Sequence, residues 1–170
     1  MAETEGKGRR IVVAVDEGEE SLYALSWCLQ NVVSQNSKDT LILVYAKPPS
    51  TVYPAMDGTG YLFSADIIAS MEKYRRDVAA CVMENAIRLC KDLPNIKVEK
   101  KVENGDPREV ICDTVEKLAA DLLVMGTHGY GLIKRAFLGS VSNYCAQNVN
   151  CPILIVKIPK SEGVSGCKRS

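Results

Sequence analysis

The chain has 170 residues, enough for one domain with a well-covered core, and its 46% hydrophobic and 25% charged residues are an ordinary globular mix. Lysine plus arginine and aspartate plus glutamate stand at 21 each, so no net field draws in nucleic acid or an anionic membrane. No apolar run reaches the roughly 18 residues of a membrane span, and the opening MAETEGKGRR has neither a signal-peptide apolar stretch nor the acid-poor character of a transit peptide.

Residues 1–8 and 159–170 are polar and read as flexible tails around one domain over 9–158. RIVVAV (10–15) is β-branched throughout and predicts a strand buried on both faces, ending at Asp16. Leu22, Leu25, Leu29 and Val32 recur at helical spacing. TLILVYA (40–46) is a second buried strand. Residues 47–63, with three prolines and two glycines, predict a long loop, in which Tyr53, Tyr61 and Phe63 could cover a ligand and Asp57 to Gly60 reads as a turn.

A long helix follows, with Ser64 as its N-cap, an apolar stripe of Ile67, Met71, Tyr74, Val78, Val82 and Leu89, and an end before Pro94. IKVEKKVENGD alternates as a third strand with one more exposed face. Asp106-Pro107-Arg108-Glu109 is a helix start: Asp106 caps free amides, Pro107 presets φ and Glu109 reaches back. Val110, Ile111, Thr114 and Leu118 line that helix. DLLVMG is the fourth strand, GSVSNYCAQNV a short helix with Val141, Tyr144, Cys145 and Val149 on one side, and CPILIVKI the fifth strand.

Strands separated by helices predict an α/β fold: a doubly wound, five-stranded parallel sheet with helices on both faces, Rossmann-like in arrangement. Ligands of such sheets sit beyond the carboxyl ends of the strands, where strand order reverses. That rule selects Ala14 to Asp16, Tyr45 to Ala46, and Met125 to Ser142.

The last of these stretches, MGTHGYGLIKRAFLGSVS, carries the most chemistry. Gly126, Gly129, Gly131 and Gly139 let a ligand approach the main chain, and inward-turned amides form an anion nest. Gly139, Ser140, Val141 and Ser142 open a helix whose unpaired amides attract phosphate, and the hydroxyls of Ser140 and Ser142 add donors. The competing account is a strand exit, a surface turn and an ordinary cap. The stretch is not a Walker A, and no G-x-G-x-x-G follows the first strand. Asp16 is read as a binding residue or ion ligand against a helix cap, His128 as a solvated loop side chain, and Lys134 and Arg135 as solvent-facing charges.

Seven cysteines, odd in number and mostly in apolar patterns, suggest buried thiols in a reducing, cytoplasmic setting, with the nucleus as an alternative. Cys167 lies in the polar tail without an activating neighbour. With His128 the one histidine and no cysteine near it in sequence, neither a zinc site nor a nucleophile–base–acid triad is expected.

The spacing G-x2-G-x9-G-S within DLLVMGTHG and FLGSVS, with RIVVAVDEGEESLYALSW before it, GDPREVI between and CPILIVK after, resembles the universal stress protein family over about residues 9–158. The surroundings of Trp27 resemble plant members. The resemblance implies ATP or AMP in the cleft: Ala14, Val15 and Asp16 under ribose and phosphates, Ala46 at the adenine edge, and Met125 and Gly126 beside base and ribose. By the same likeness Thr127, His128, Gly129, Gly131, Gly139, Ser140, Val141 and Ser142 surround the phosphates. Mg²⁺ or Mn²⁺ would be held through the phosphates, with Asp16 the one candidate side chain, and a homodimer would form through the strand Pro152 to Ile158. Gly18 departs from a serine found in many relatives, and Ala14 from a proline in some. The implied function is a nucleotide-dependent regulator or sensor with at most slow hydrolysis. A true ATPase or phosphoryl/adenylyl transferase and a chaperone-like module with a vestigial cleft stay open.

Overall fold

Runs such as RIVVA and TLILVYA carry aliphatic or β-branched side chains at nearly every position, and such strands are stable only where both faces are covered. The computed structural model describes residues 7–34, 38–49, 65–93, 95–128 and 138–159. Its elements are β1 (Arg10–Ala14), α1 (Glu19–Asn31), β2 (Thr40–Lys47), α2 (Ala65–Cys90), β3 (Lys97–Asn104), α3 (Pro107–Lys117), β4 (Leu122–Gly126), α4 (Ser140–Asn148) and β5 (Ile153–Val156). The five strands form one parallel sheet in the order β3-β2-β1-β4-β5. The expected doubly wound α/β architecture is the one found.

Alternate strand residues divide into two cores, as the two-residue period of a strand requires. Ile11, Val13, Leu41, Leu43 and Val124 pack under α1 and α2; Val12, Ala14, Ile42, Val44, Leu123 and Met125 pack under α3 and α4. Full burial of each Leu, Ile or Val contributes about 1.5–3 kcal/mol. β1 is central, and strand order reverses between it and β4. Among the described residues no helix is long and apolar enough to cross a membrane.

Two helix faces differ from the sequence expectation. α1 buries Ser21, Ala24, Leu25, Cys28 and Leu29, leaving Leu22 and Val32 half-buried at its flank. α2 buries Ala79, Val82, Met83, Ala86 and Cys90, while Ile67, Met71, Tyr74 and Leu89 are exposed. At 100° per residue the buried set spans an arc of about 100°, and the expected stripe lies beside it. Small residues let α2 sit close to the sheet, so alanines and a cysteine face inward. α2 also outruns its support: 26 residues span about 39 Å, against about 27 Å for the eight residues of β2.

At α3 the Asp106 cap forms as expected, its carboxylate accepting the Arg108 amide at 2.9 Å. The side chain that reaches back is Arg108, donating through Nε at 3.0 Å and Nη2 at 2.7 Å to the Asp106 carboxylate, not Glu109. Gly105, with φ +147, makes the turn between β3 and that cap, and its amide donates to the Lys47 carbonyl at 3.0 Å. This turn brings the start of α3 to the carboxyl edge of the sheet. α4 buries Cys145 and Ser142, with Tyr144 exposed. β5 is shorter than CPILIVKI and occupies a sheet edge. The Ser64 cap, most of the 47–63 loop, including Tyr53, Asp57 to Gly60, Tyr61 and Phe63, and Cys167 lie outside the described residues.

Candidate functional site

In a parallel sheet every crossover helix begins at the carboxyl edge, so strand ends and helix starts converge there. A cleft of about 310 Å³ opens at that edge. Its floor is Ala14, Val15 and Asp16 from the end of β1, Val44 to Ala46 from β2, and Met125 and Gly126 from β4. Pro107 and Ile111 of α3, Val141 and Ser142 of α4, and His128 stand in its wall, with Glu17, Ser21 and Pro48 also lining it. A more open hollow of about 600 Å³ is lined, among the described residues, by α2 residues, Ile67, Met71 and Tyr74 among them.

One end of the cleft is apolar, formed by Ala14, Val44, Ile111 and Met125. The Val44 carbonyl accepts the Val15 amide at 2.9 Å, on the side of β2 facing β1. Main-chain groups two residues apart point the same way. Ala46 therefore turns its amide and carbonyl to that side, beyond Ala14↔Val44, the last β1–β2 ladder pair. The result is one donor and one acceptor at the apolar end.

The other end is the start of α4. The amides of Ser140, Val141 and Ser142 belong to the first helical turn, where no intrahelical acceptor exists. They carry the partial positive charge of a helix N-terminus. Gly139 does not join them: its amide donates to the Thr127 carbonyl at 2.8 Å. Nor is the Ser142 hydroxyl an open donor, because it donates to the Gly126 carbonyl at 2.8 Å and the residue is 2% exposed. Gly126 itself has no positive φ; its missing side chain makes room for the backbone of Glu20 in α1. Gly129 and Gly131, with Lys134 and Arg135, lie outside the described residues.

Glu20 anchors the exit of β4 and had no signal in the sequence. Its Oε2 accepts the Thr127 hydroxyl at 2.7 Å and the His128 amide at 2.8 Å, and lies 3.5 Å from His128 Nδ1. Thr127 is thereby tied to α1 and does not line the cleft. His128 is not a solvated loop side chain: it is 19% exposed and pairs with Glu20. Burial raises the Glu20 carboxyl, but the hydrogen bonds from Thr127 and the His128 amide outweigh burial, aided by the charge of His128, and hold it below the usual range. A depressed carboxyl contributes stability above its unfolded value, about 4.3, and loses it as pH falls through the lower folded value. Glu20→Gln is expected to cost about 1–2 kcal/mol at pH 7, a deficit that shrinks toward pH 3. Urea titrations at the two pH values check it; an equal deficit at both would remove the carboxylate from the account.

The start of α1 also faces the cleft. Asp16 accepts the Gly18 amide at 2.8 Å and lines the cleft, so one residue caps and remains a candidate ligand. Gly18 offers no side-chain cap; Ser21 instead accepts the Asp16 amide at 3.0 Å and donates to the Gly18 carbonyl at 3.1 Å. Tyr45 donates its hydroxyl to Glu17 Oε1 at 2.6 Å. Burial first, then the Glu17 carboxylate, pushes the Tyr45 phenol up, so it stays a neutral donor. Among the described residues no three ligating side chains cluster to hold a metal ion.

Sequence reasoning also passed over Pro107 and Ile111 as wall residues. The signal was available, since the same edge rule that selects strand ends places every helix start beside them.

The model of the Universal stress protein family matches residues 8–157. Universal stress protein PHOS32 of Arabidopsis thaliana is 31% identical over 165 residues, 92% of this chain and 67% of the relative. Universal stress protein PHOS34 of the same plant is 30% identical over 169 residues, 92% of this chain and 64% of the relative. The chain thus spans about two thirds of the length of these two relatives. Among solved structures, an Arabidopsis thaliana universal stress protein family protein with AMP bound superposes with TM-score 0.64 at 20% identity, covering 93% of this chain and 97% of that one. A universal stress protein in complex with cAMP superposes with TM-score 0.61 at 25% identity, covering 87% of this chain and 96% of that one.

Proposed function

This chain belongs to the universal stress protein family, and from that premise we propose that its cleft binds ATP or AMP and that the bound nucleotide regulates the protein's contacts as a stress-response sensor. The observation that carries the reading is the pairing of two ends in one cleft. The free first-turn amides of Ser140 to Ser142 suit phosphate, and the Ala46 main-chain groups over an apolar floor suit a purine edge. Relatives solved with AMP and with cAMP support the same ligand class. Met125 and Gly126 then flank base and ribose, and Asp16 lies by ribose or phosphates. Mg²⁺ or Mn²⁺ fits as an ion held mainly by phosphate oxygens beside Asp16. It would neutralise phosphate charge there.

Hydrolysis is at most slow on this reading. A fast hydrolase needs a positioned water and a charge clamp. Glu17 and Glu20 are instead engaged by Tyr45 and by Thr127 and His128.

Calorimetry on protein stripped of nucleotide is expected to give heat with at least one of ATP, ADP and AMP. Silence with all three overturns the reading.

A homodimer through Pro152 to Ile158 completes the proposal. β5 is an edge strand whose Ile153, Leu154 and Ile155 are half-buried, and pairing with its copy would cover that edge. Light scattering is expected to give twice the 18.6 kDa chain mass; monomer alone at micromolar concentration removes the dimer.

A further inference from the structure

α3 and α4 lie side by side on one face of the sheet and touch at two levels. The Arg108 guanidinium sits over the Tyr144 ring, 5.8 Å from its centroid. One helical turn along, Cys112 Sγ stands 3.9 Å from Cys145 Sγ. Both are free thiols. We propose that Cys112 and Cys145 form a redox pair, which a small hydroperoxide converts into a disulfide tying α3 to α4.

The roles of the two sulfurs follow from access. Cys145 is 0% exposed, whereas Cys112 is half-buried, so an oxidant from solvent meets Cys112 first. Burial and the nearby Asp113 carboxylate hold the Cys112 thiol above its ordinary range, the contact with Cys145 offsetting only part of this, so the thiolate that attacks is supplied more readily as pH rises. The Cys112 thiolate attacks one peroxide oxygen, the O–O bond breaks, and hydroxide leaves, giving a sulfenic acid on Cys112. Cys145 sulfur then attacks Cys112 sulfur; the S–S bond forms, the S–O bond breaks, and the oxygen departs as water with the Cys145 proton. Two thiols lose two electrons, and one hydroperoxide is reduced, to two waters when it is hydrogen peroxide. The sulfurs must approach by about 2 Å to reach bonding distance.

No other described cysteine competes for this partner on the same terms. Cys28 and Cys90 are buried in the core on the opposite face of the sheet, and Cys81 is on α2. Cys151 follows α4 and is half-buried, so it is the rival that the experiment must separate.

The consequence reaches the cleft. Pro107 and Ile111 on α3 and Val141 and Ser142 on α4 form its wall, and a covalent tie between the helices fixes their spacing. That step toward nucleotide control rests on the reading under Proposed function; the bond does not.

The test uses the full chain, free of nucleotide, treated with hydrogen peroxide, blocked with iodoacetamide and digested with trypsin without reduction. The expected product joins peptide 109–117 to peptide 136–157, two hydrogens lighter than their sum, with fragment ions placing the bond on Cys145 and not on Cys151. It disappears on reduction with dithiothreitol and is absent from Cys112→Ser. Amide exchange over 107–117 and 140–148 is expected to slow about tenfold in the oxidised protein. Recovery of Cys112 as an alkylated thiol or a sulfinic acid without the link overturns the proposal. So does a link to Cys151, or unchanged exchange in protein that carries the bond. Mapping in the absence of nucleotide keeps this outcome separate from a failure of ATP and AMP to bind.

Discussion

Gly126→Val is expected to destabilise the fold by about 3 kcal/mol or more, and Gly126→Ala by about 1–2 kcal/mol. A Cβ placed on Gly126 falls 3.0 Å from the Glu20 carbonyl carbon, 3.1 Å from its oxygen and 3.1 Å from its Cβ. Those atoms belong to the first turn of a helix, so they cannot swing aside as a side-chain tip would. α1 would have to lift, and α1 holds Ala24, Leu25 and Cys28 at 0% exposure against the sheet. The same movement strains the Glu20 hydrogen bonds to Thr127 and His128. The Gly126 carbonyl also receives the Ser142 hydroxyl, so β4, α1 and α4 are joined at one residue. Valine adds two methyl groups to a gap already too small for one carbon. Urea unfolding midpoints for wild type, alanine and valine should fall in that order. Nucleotide affinity should be lost with valine, since Asp16 and Glu17 move with the start of α1. An alanine variant within 0.5 kcal/mol of wild type would show that α1 yields without cost.

That packing role was hidden in the sequence, where Gly126 looks like a residue kept open for a ligand. The reason is general to this chain. Features set by neighbours along the chain were legible: the continuous apolar runs of β1, β2 and β4, the Asp106-Pro107 helix start, and the strand ends at Ala14, Asp16, Ala46 and Met125. Features set by partners far along the chain were not. Glu20 meets Thr127 and His128 across 107 and 108 positions, and Tyr45 meets Glu17 across 28. The α2 stripe was misplaced because periodicity weighs large side chains, while close packing selects small ones such as Ala79 and Ala86. At α4, sequence identifies a helix N-terminus but not where its polar groups are directed. Gly139 and Ser142 turn theirs to Thr127 and Gly126, and three main-chain amides stay available.

Ser140→Asp separates the two demands on those amides. Ser140 is exposed at the first position of α4, and no buried contact is lost by changing it. A carboxylate there complements the helix dipole, so the nucleotide-free protein should be unchanged or more stable by about 0.3–1 kcal/mol. The same charge repels a phosphate bound to neighbouring amides. Two like charges 4 Å apart cost about 1 kcal/mol in water and about 4 kcal/mol at an effective dielectric of 20, so affinity should fall about tenfold or more. Three controls fix the cause. Ser140→Asn, similar in size and uncharged, should stay within about threefold of wild type. Adenosine, which lacks phosphate, should bind both variants alike. Raising ionic strength toward 1 M, where the screening length is about 3 Å, should return part of the lost ATP affinity. Equal losses with asparagine and aspartate would make the effect steric. Unchanged ATP and AMP affinity in Ser140→Asp would move the phosphates away from α4, and with them the strongest physical reason for placing a nucleotide in this cleft.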